Sequence, residues 1–209
     1  SIRYFDVDNF EVREIPSCIA ASNLQASNIT SSSATLSWID NNTSASDSFQ
    51  ISYGPSGTAA GSGVIAYSTD TFIDLTGLTS ARDYVEYVRA ICSVGDTSDW
   101  TLATSFTTLC GTYTLPYSQD FSTFMPTCWT EYANGTPSSG PTGSEGSGSW
   151  ASDGFMNSGS SGAARINIYG TSSGDNDWLI SPEIDLGSTT ARVTFDYAVT
   201  AFSGTSAIS

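Results

Sequence analysis

Apolar residues along this chain come in short alternating runs broken by Gly, Ser, Thr, Asn and Pro, a rhythm that predicts strands rather than helices. In Ala34-Thr35-Leu36-Ser37-Trp38, Leu36 and Trp38 fall on one face of a strand. Phe49-Gln50-Ile51-Ser52-Tyr53 alternates in the same way and stops at the Gly54-Pro55 turn. Ile73 and Leu75 mark a third run, leading into Thr76-Gly77-Leu78. A longer run from Tyr84 to Cys92 ends at the polar turn Gly95 to Asp99, and Trp100 to Thr108 closes the unit. Six or seven short strands within about ninety residues is the spacing of a β-sandwich. Period 2 also carries Glu86 to the inward face shared by Tyr84, Val88 and Ala90. Either a bulge shifts the register there, or Glu86 sits near the end of the sandwich, within reach of water.

The second half has another texture. Tyr113 to Phe121 leads to Met125-Pro126-Thr127-Cys128-Trp129, followed by a Gly/Ser-rich loop over 134–149, long enough to be functional or mobile. Ala164, Ile166 and Ile168 alternate, as do Val193, Phe195, Tyr197 and Val199, and each set predicts a strand. Between them lies the segment Asp175 to Leu186. No run keeps helical periodicity, none approaches the length of a membrane span, and no signal peptide opens the chain. The expected fold class is all-β throughout. The opening SIRYFDVDNF reads as a strand from inside a domain, so the chain is expected to be an excised piece of something longer.

Leu75-Thr76-Gly77-Leu78, Tyr84 and Val88-Arg89-Ala90 resemble the E–F segment of fibronectin type III domains, and Trp38 resembles the core Trp of their strand B. The resemblance implies such a sandwich over 17–110, with the Tyr84 hydroxyl bonded back to the backbone near Leu78. LPYSQDF, the Pro126-Thr127-Cys128-Trp129 step and DNDWLISPEIDL resemble, in family order, the MAM-like jelly roll of bacterial surface adhesins. That implies the N-terminal part of a jelly roll over 111–209. Residues 1–16, with Tyr4 to Val12, look like the closing strand of a preceding roll. The chain then reads as one period of a tandem array. Such alternation is similar to large surface and secreted proteins of Bacteroidota, often exported by the type IX route.

Charge narrows the partners. Six Arg, no Lys and no His stand against 15 Asp and 6 Glu, for a net charge of −15. Phosphate backbones and anionic lipid would repel such a chain, so nucleic-acid binding and membrane insertion are not expected. Without His there is no Ser-His-Asp triad, no Cys-His dyad and no His-ligated zinc site. Carboxylates scattered over turns do not make the paired acids of a glycosidase cleft, so no catalytic residue is assigned. The acidic excess suits solubility; its sharper reading is calcium bound by oxygen ligands. By resemblance Asp120 supplies a first-strand ligand and Asp8 the last-strand ligand of the preceding copy. Asp175 and Asp177 flank a turn where alternate carboxylates can converge, although Asp more commonly caps turns. Trp129, Trp150 and Tyr169 are candidates for stacking on sugar rings if exposed, against the commoner role of aromatic residues in a core. The sequons at Asn28, Asn41 and Asn134 matter only in a glycosylating host.

The four Cys residues show no CxxC spacing and read as disulfides of an oxidising compartment. In a fibronectin-type topology Cys18 opens strand A beside the end of strand F, where Cys92 lies, while Cys110 is at the far end of strand G. The pairing expected is Cys18–Cys92 and Cys110–Cys128, the latter fixing the junction between the two domains. The function expected is a non-catalytic repeat module of an extracellular or cell-surface adhesin or filament. It would space and present, touching neighbouring repeats of its own chain and surface glycans or proteins. The rival is an accessory carbohydrate-binding region of a secreted hydrolase, which flanking sequence would distinguish. A eukaryotic receptor ectodomain fits less well, because no Cys follows Cys128.

Overall fold

The computed structural model describes residues 17–167, 176–188 and 190–200. The expected closing strand over 1–16 therefore lies outside the described residues. The chain divides into two compact units, Ser1–Leu109 and Cys110–Ser209.

The first unit contains β1 (Ser22–Ser27), β2 (Ser33–Ile39), β3 (Ser48–Pro55), β4 (Val64–Ser68), β5 (Phe72–Thr76), β6 (Asp83–Ser93), β7 (Asp96–Thr97) and β8 (Thr104–Thr107). One sheet has the order β1-β2-β5, and the other β4-β3-β6 with β7 and β8 both on β6. Every described pairing here is antiparallel. In β2 the residues Ala34, Leu36 and Trp38 are buried and their neighbours are not, the alternation that their spacing predicts. Leu36 and Ile51 are 0% exposed, one from each sheet, so the core lies between the layers. Trp38 of β2 meets Phe49 of β3 edge-on with ring centroids 5.3 Å apart. Burying side chains of this size contributes about 1.5–3 kcal/mol each. Strands β1 and β4 lack a pronounced apolar alternation and carry little sequence signal.

At the turn between β5 and β6, the Tyr84 hydroxyl accepts a hydrogen bond of 2.9 Å from the Thr79 backbone N–H. That is one residue beyond Leu78, near which the family resemblance places the contact. The Glu86 expectation fails in both of its forms. β6 keeps unbroken register with β3 (Tyr53 opposite Glu86) and with β8 (Glu86 opposite Thr104), so no bulge turns the side chain outward. Its irregularity comes only between Ile91 and Ser93, opposite β7. Glu86 is also 0% exposed, so water does not reach it. The pleat sets the direction of the side chain, and burial follows from it whatever the chemistry of the residue.

The second unit contains β9 (Tyr113–Thr114), β10 (Thr130–Ala133), β11 (Gly135–Thr136), β12 (Gly140–Pro141), β13 (Trp150–Asp153), β14 (Ala163–Ile166), β15 (Asp177–Ile180) and β16 (Ile184–Asp185). They form the pairs β9–β16, β10–β15, β11–β12 and β13–β14, of which β9–β16 is parallel. Among the described residues these pairs do not merge into a wider sheet. The run expected over Tyr113 to Phe121 is a strand only at its start. The Gly/Ser-rich stretch is held against β10: Gly143 and Gly146 donate backbone N–H groups to the Ala133 and Glu131 carbonyls. Gly135 has φ +98°, and a Cβ there would lie 2.0 Å from the Gly140 carbonyl oxygen, so this hairpin requires glycine.

The strand expected at Val193 to Val199 is not formed. Residues 190–199 join no strand, and Val193, Phe195 and Tyr197 are 87%, 77% and 80% exposed. Alternation supplies one face of a sheet, whereas a strand also needs a neighbour to pair with. Ile168, the third residue of the earlier alternating set, lies outside the described residues.

Candidate functional site

Two disulfides mark the sites where the chain invests covalent structure, and both have the expected partners. Cys18 and Cys92 are bonded with Cα atoms 5.7 Å apart, tying the segment before β1 to the end of β6. Around this bond the Asp40–Ser46 turn grips the same segment. Asn42 accepts from the Ile19 N–H through Oδ1 at 2.7 Å and donates to the Ile19 carbonyl through Nδ2 at 2.9 Å. Asn41 Nδ2 donates to the Ala20 carbonyl at 2.7 Å. Two side-chain amides thus imitate a strand beside residues 19–20. Asp40 holds the turn by accepting from the backbone and side chains of Asn42 and Ser46. Burial pushes its pKa up, but these hydrogen bonds together outweigh that effect and leave it below the ordinary carboxylate value. The sequence signal for this bracket was the Asp40-Asn41-Asn42 run, which could be read only as a turn.

On the outer face of the β4-β3-β6 sheet, the Arg89 guanidinium stacks 4.7 Å from the Trp100 ring centroid. Its Nε donates to Gln50 Oε1 at 2.7 Å, and Gln50 Nε2 donates to the Tyr67 hydroxyl at 2.9 Å. Trp100 therefore belongs to a surface ladder rather than to the core.

In the second unit the Cys110–Cys128 bond, with a Cα separation of 5.8 Å, closes an eighteen-residue span. Cys110 is the first residue of that unit, directly after the boundary with the first. Within the loop Tyr113 and Tyr117 meet edge-on with centroids 5.1 Å apart, as do Phe121 and Trp129. The Trp129 indole donates to the Tyr117 hydroxyl at 2.8 Å. The loop is anchored outside itself as well: the Tyr113 N–H donates to the Glu183 carbonyl at 2.8 Å. Beside the tyrosines runs an open groove of about 430 Å³. Trp129 and Trp150 are half-buried, as Tyr113 and Tyr117 are, and Tyr169 lies outside the described residues.

Of the four candidate calcium ligands, Asp8 and Asp175 lie outside the described residues. Asp120 is exposed, and its Oδ1 accepts from the Ser122 N–H at 2.9 Å. This bond, helped by the Ser122 hydroxyl, lowers its pKa. Asp177 Oδ1 accepts from the Ser149 N–H at 3.0 Å. Each is thus occupied as a turn or strand-end carboxylate. Among the described residues no three Asp, Glu, His or Cys side chains gather into a metal-binding group.

Residues 19–107 match the family model "Fibronectin type III domain". No curated protein matches the chain. Among solved structures, one described as "Myokine structure" is 21% identical with a TM-score of 0.38, covering 44% of this chain and 99% of the other. The chicken CNTN1 FN1-FN3 domains are 14% identical with a TM-score of 0.38, covering 43% of this chain and 30% of theirs. A segment of two fibronectin type III domains from chicken tenascin is 23% identical with a TM-score of 0.37, covering 42% of this chain and 49% of that one.

Proposed function

We propose that this chain, which carries a fibronectin type III domain over residues 19–107, is a non-catalytic repeat module of a large extracellular or cell-surface adhesin or filament. Its work is to space and to present. The observation that carries this reading is the Cys18–Cys92 bond, backed by the Asn41 and Asn42 amides. Together they lock the point where the chain enters the sandwich to the strand at its centre. A module in a loaded tandem array is pulled at its ends, and this is where pulling would peel it. The pairing of all four cysteines also fits an oxidising compartment. The export route and the neighbouring repeats belong to the same proposal and rest on the sequence resemblance. So does calcium, for which Asp8 or Asp175 would have to complete a set with Asp120 or Asp177.

Force spectroscopy on tandem copies of the full chain tests the load-bearing role. The bond spans a sequence separation of 74 residues, which stay inextensible while it is intact. Adding reductant should therefore lengthen each unfolded copy by roughly 310 Å, at ~3.3–3.6 Å per residue, about 60 Å of it from the Cys110–Cys128 span. Contour lengths that are equal with and without reductant would remove the mechanical basis of the reading.

A further inference from the structure

We propose that the groove on the disulfide-closed loop of the second unit binds a neutral saccharide. Its volume of about 430 Å³ lies within the range of small-ligand sites, roughly 300–1,000 Å³. The side chains that line it include Tyr113, Tyr117, Ser118, Gln119, Thr123 and Thr127, and none is an Asp, Glu, Lys, Arg or His. The net charge of −15 disfavours anions there, and with neither Arg nor a carboxylate in its lining the groove offers no charged side chain to pair with an ion of either sign. An apolar occupant, such as a strand seeking a core, would leave hydroxyls and an amide without partners.

The donors and acceptors that remain suit a ligand bearing hydroxyls. The Tyr117 hydroxyl accepts from the Trp129 indole, which leaves its own proton free to donate into the groove. Gln119 Oε1 accepts from the Phe121 N–H at 2.9 Å, which leaves the amide NH₂ as a donor. Ser118, Thr123 and Thr127 add hydroxyls that donate and accept. The two tyrosine rings supply apolar area for the C–H face of a pyranose. The Cys110–Cys128 bond and the Glu183 carbonyl hold the loop in shape before a ligand arrives, which lowers the ordering cost of binding. The inference rests on the presenting role above only in that the groove meets glycans outside the cell. A module that binds no sugar can still space.

The test presents the full chain, biotinylated and tetramerised on streptavidin, to immobilised cello-, laminari-, manno- and xylo-hexaose, with polygalacturonate and heparin as acidic controls. At least one neutral hexaose should be retained above both controls, and its binding should quench or shift the summed fluorescence of the five Trp residues, to which Trp129 contributes. Thr123→Trp fills the groove from an exposed position and should weaken binding at least about tenfold. Tyr117→Phe keeps the ring while removing the donor, and should weaken binding several-fold. Circular dichroism and intact disulfides establish that both variants are folded. Retention of none of the neutral sugars, or unchanged binding by folded Thr123→Trp, overturns the assignment. Neither result touches the force experiment, so the two proposals fail separately.

Discussion

Glu86 places a carboxyl group inside the sandwich with no exposed surface and no hydrogen-bond partner for either oxygen. Burial alone pushes its pKa from an ordinary 4.5 up to about 7. The folded state therefore keeps the proton at pH values where the unfolded chain has released it. Stability from the neutral form is fully present below about pH 4.5, falls as the pH rises toward 7, and is lost above that. At ~1.4 kcal/mol per pKa unit the whole change is about 3 kcal/mol. Glu86→Gln keeps the shape and cannot ionise. Urea unfolding at pH 5 and pH 8 should show wild type losing stability relative to this variant at the higher pH. A wild-type-minus-variant difference independent of pH would show that the buried carboxyl does not titrate in this window. The comparison has to be made against the variant, since a chain with 21 acidic residues has other reasons to respond to pH.

At the scale of the element, β1 is an edge strand joined to its sheet through β2 alone, so what precedes it matters. The disulfide and the two Asn side chains anchor that preceding segment to β6 and to the Asp40–Ser46 turn. Replacing Cys18 and Cys92 by Ser should lower the stability of the first unit by about 2–5 kcal/mol, as for disulfides closing long loops. Urea unfolding followed by Trp38 and Trp100 fluorescence measures this, and a loss below about 0.5 kcal/mol would show that the Asn bracket suffices alone. Legibility followed the strength of each local pattern. β2 buries alternate residues, and β3 and β6 do so over Phe49–Ile51 and Glu86–Ala90, so these strands could be read from spacing, while the Tyr84 contact came from the family resemblance. β4 could not, because Val64, Ile65 and Tyr67 are all substantially exposed and the strand exists through backbone pairing with β3. The Val193–Val199 run misled for the opposite reason: its pattern was strong and its pairing absent among the described residues. The groove at Tyr113 and Tyr117 was illegible because hydroxyls and an amide acquire meaning only once a closed loop brings them together.

For the whole molecule, the two units make different demands. The first is a layered sandwich whose interior is filled from both sheets. The second is described as paired short strands, in which a bound ion would have the most to stabilise. If calcium completes a site with Asp120 or Asp177, EDTA should lower the melting temperature of the second unit's transition and leave the first unit's unchanged. Superimposable melting curves with and without chelator would retire the calcium proposal. The positions of the two disulfides also decide how the chain ages among extracellular proteases. Cutting any one peptide bond between Cys18 and Cys92, or between Cys110 and Cys128, leaves the chain a single covalent molecule, because each bond closes its own loop. A nick in the exposed Gly57 or Gly95 turn thus severs the backbone at very different consequence. The first leaves a cut ring whose halves stay joined through Cys18 and Cys92. The second, falling in residues 93–109 between the two rings, divides the molecule into pieces held together by non-covalent contacts alone, the pairing of β7 and β8 with β6 among them.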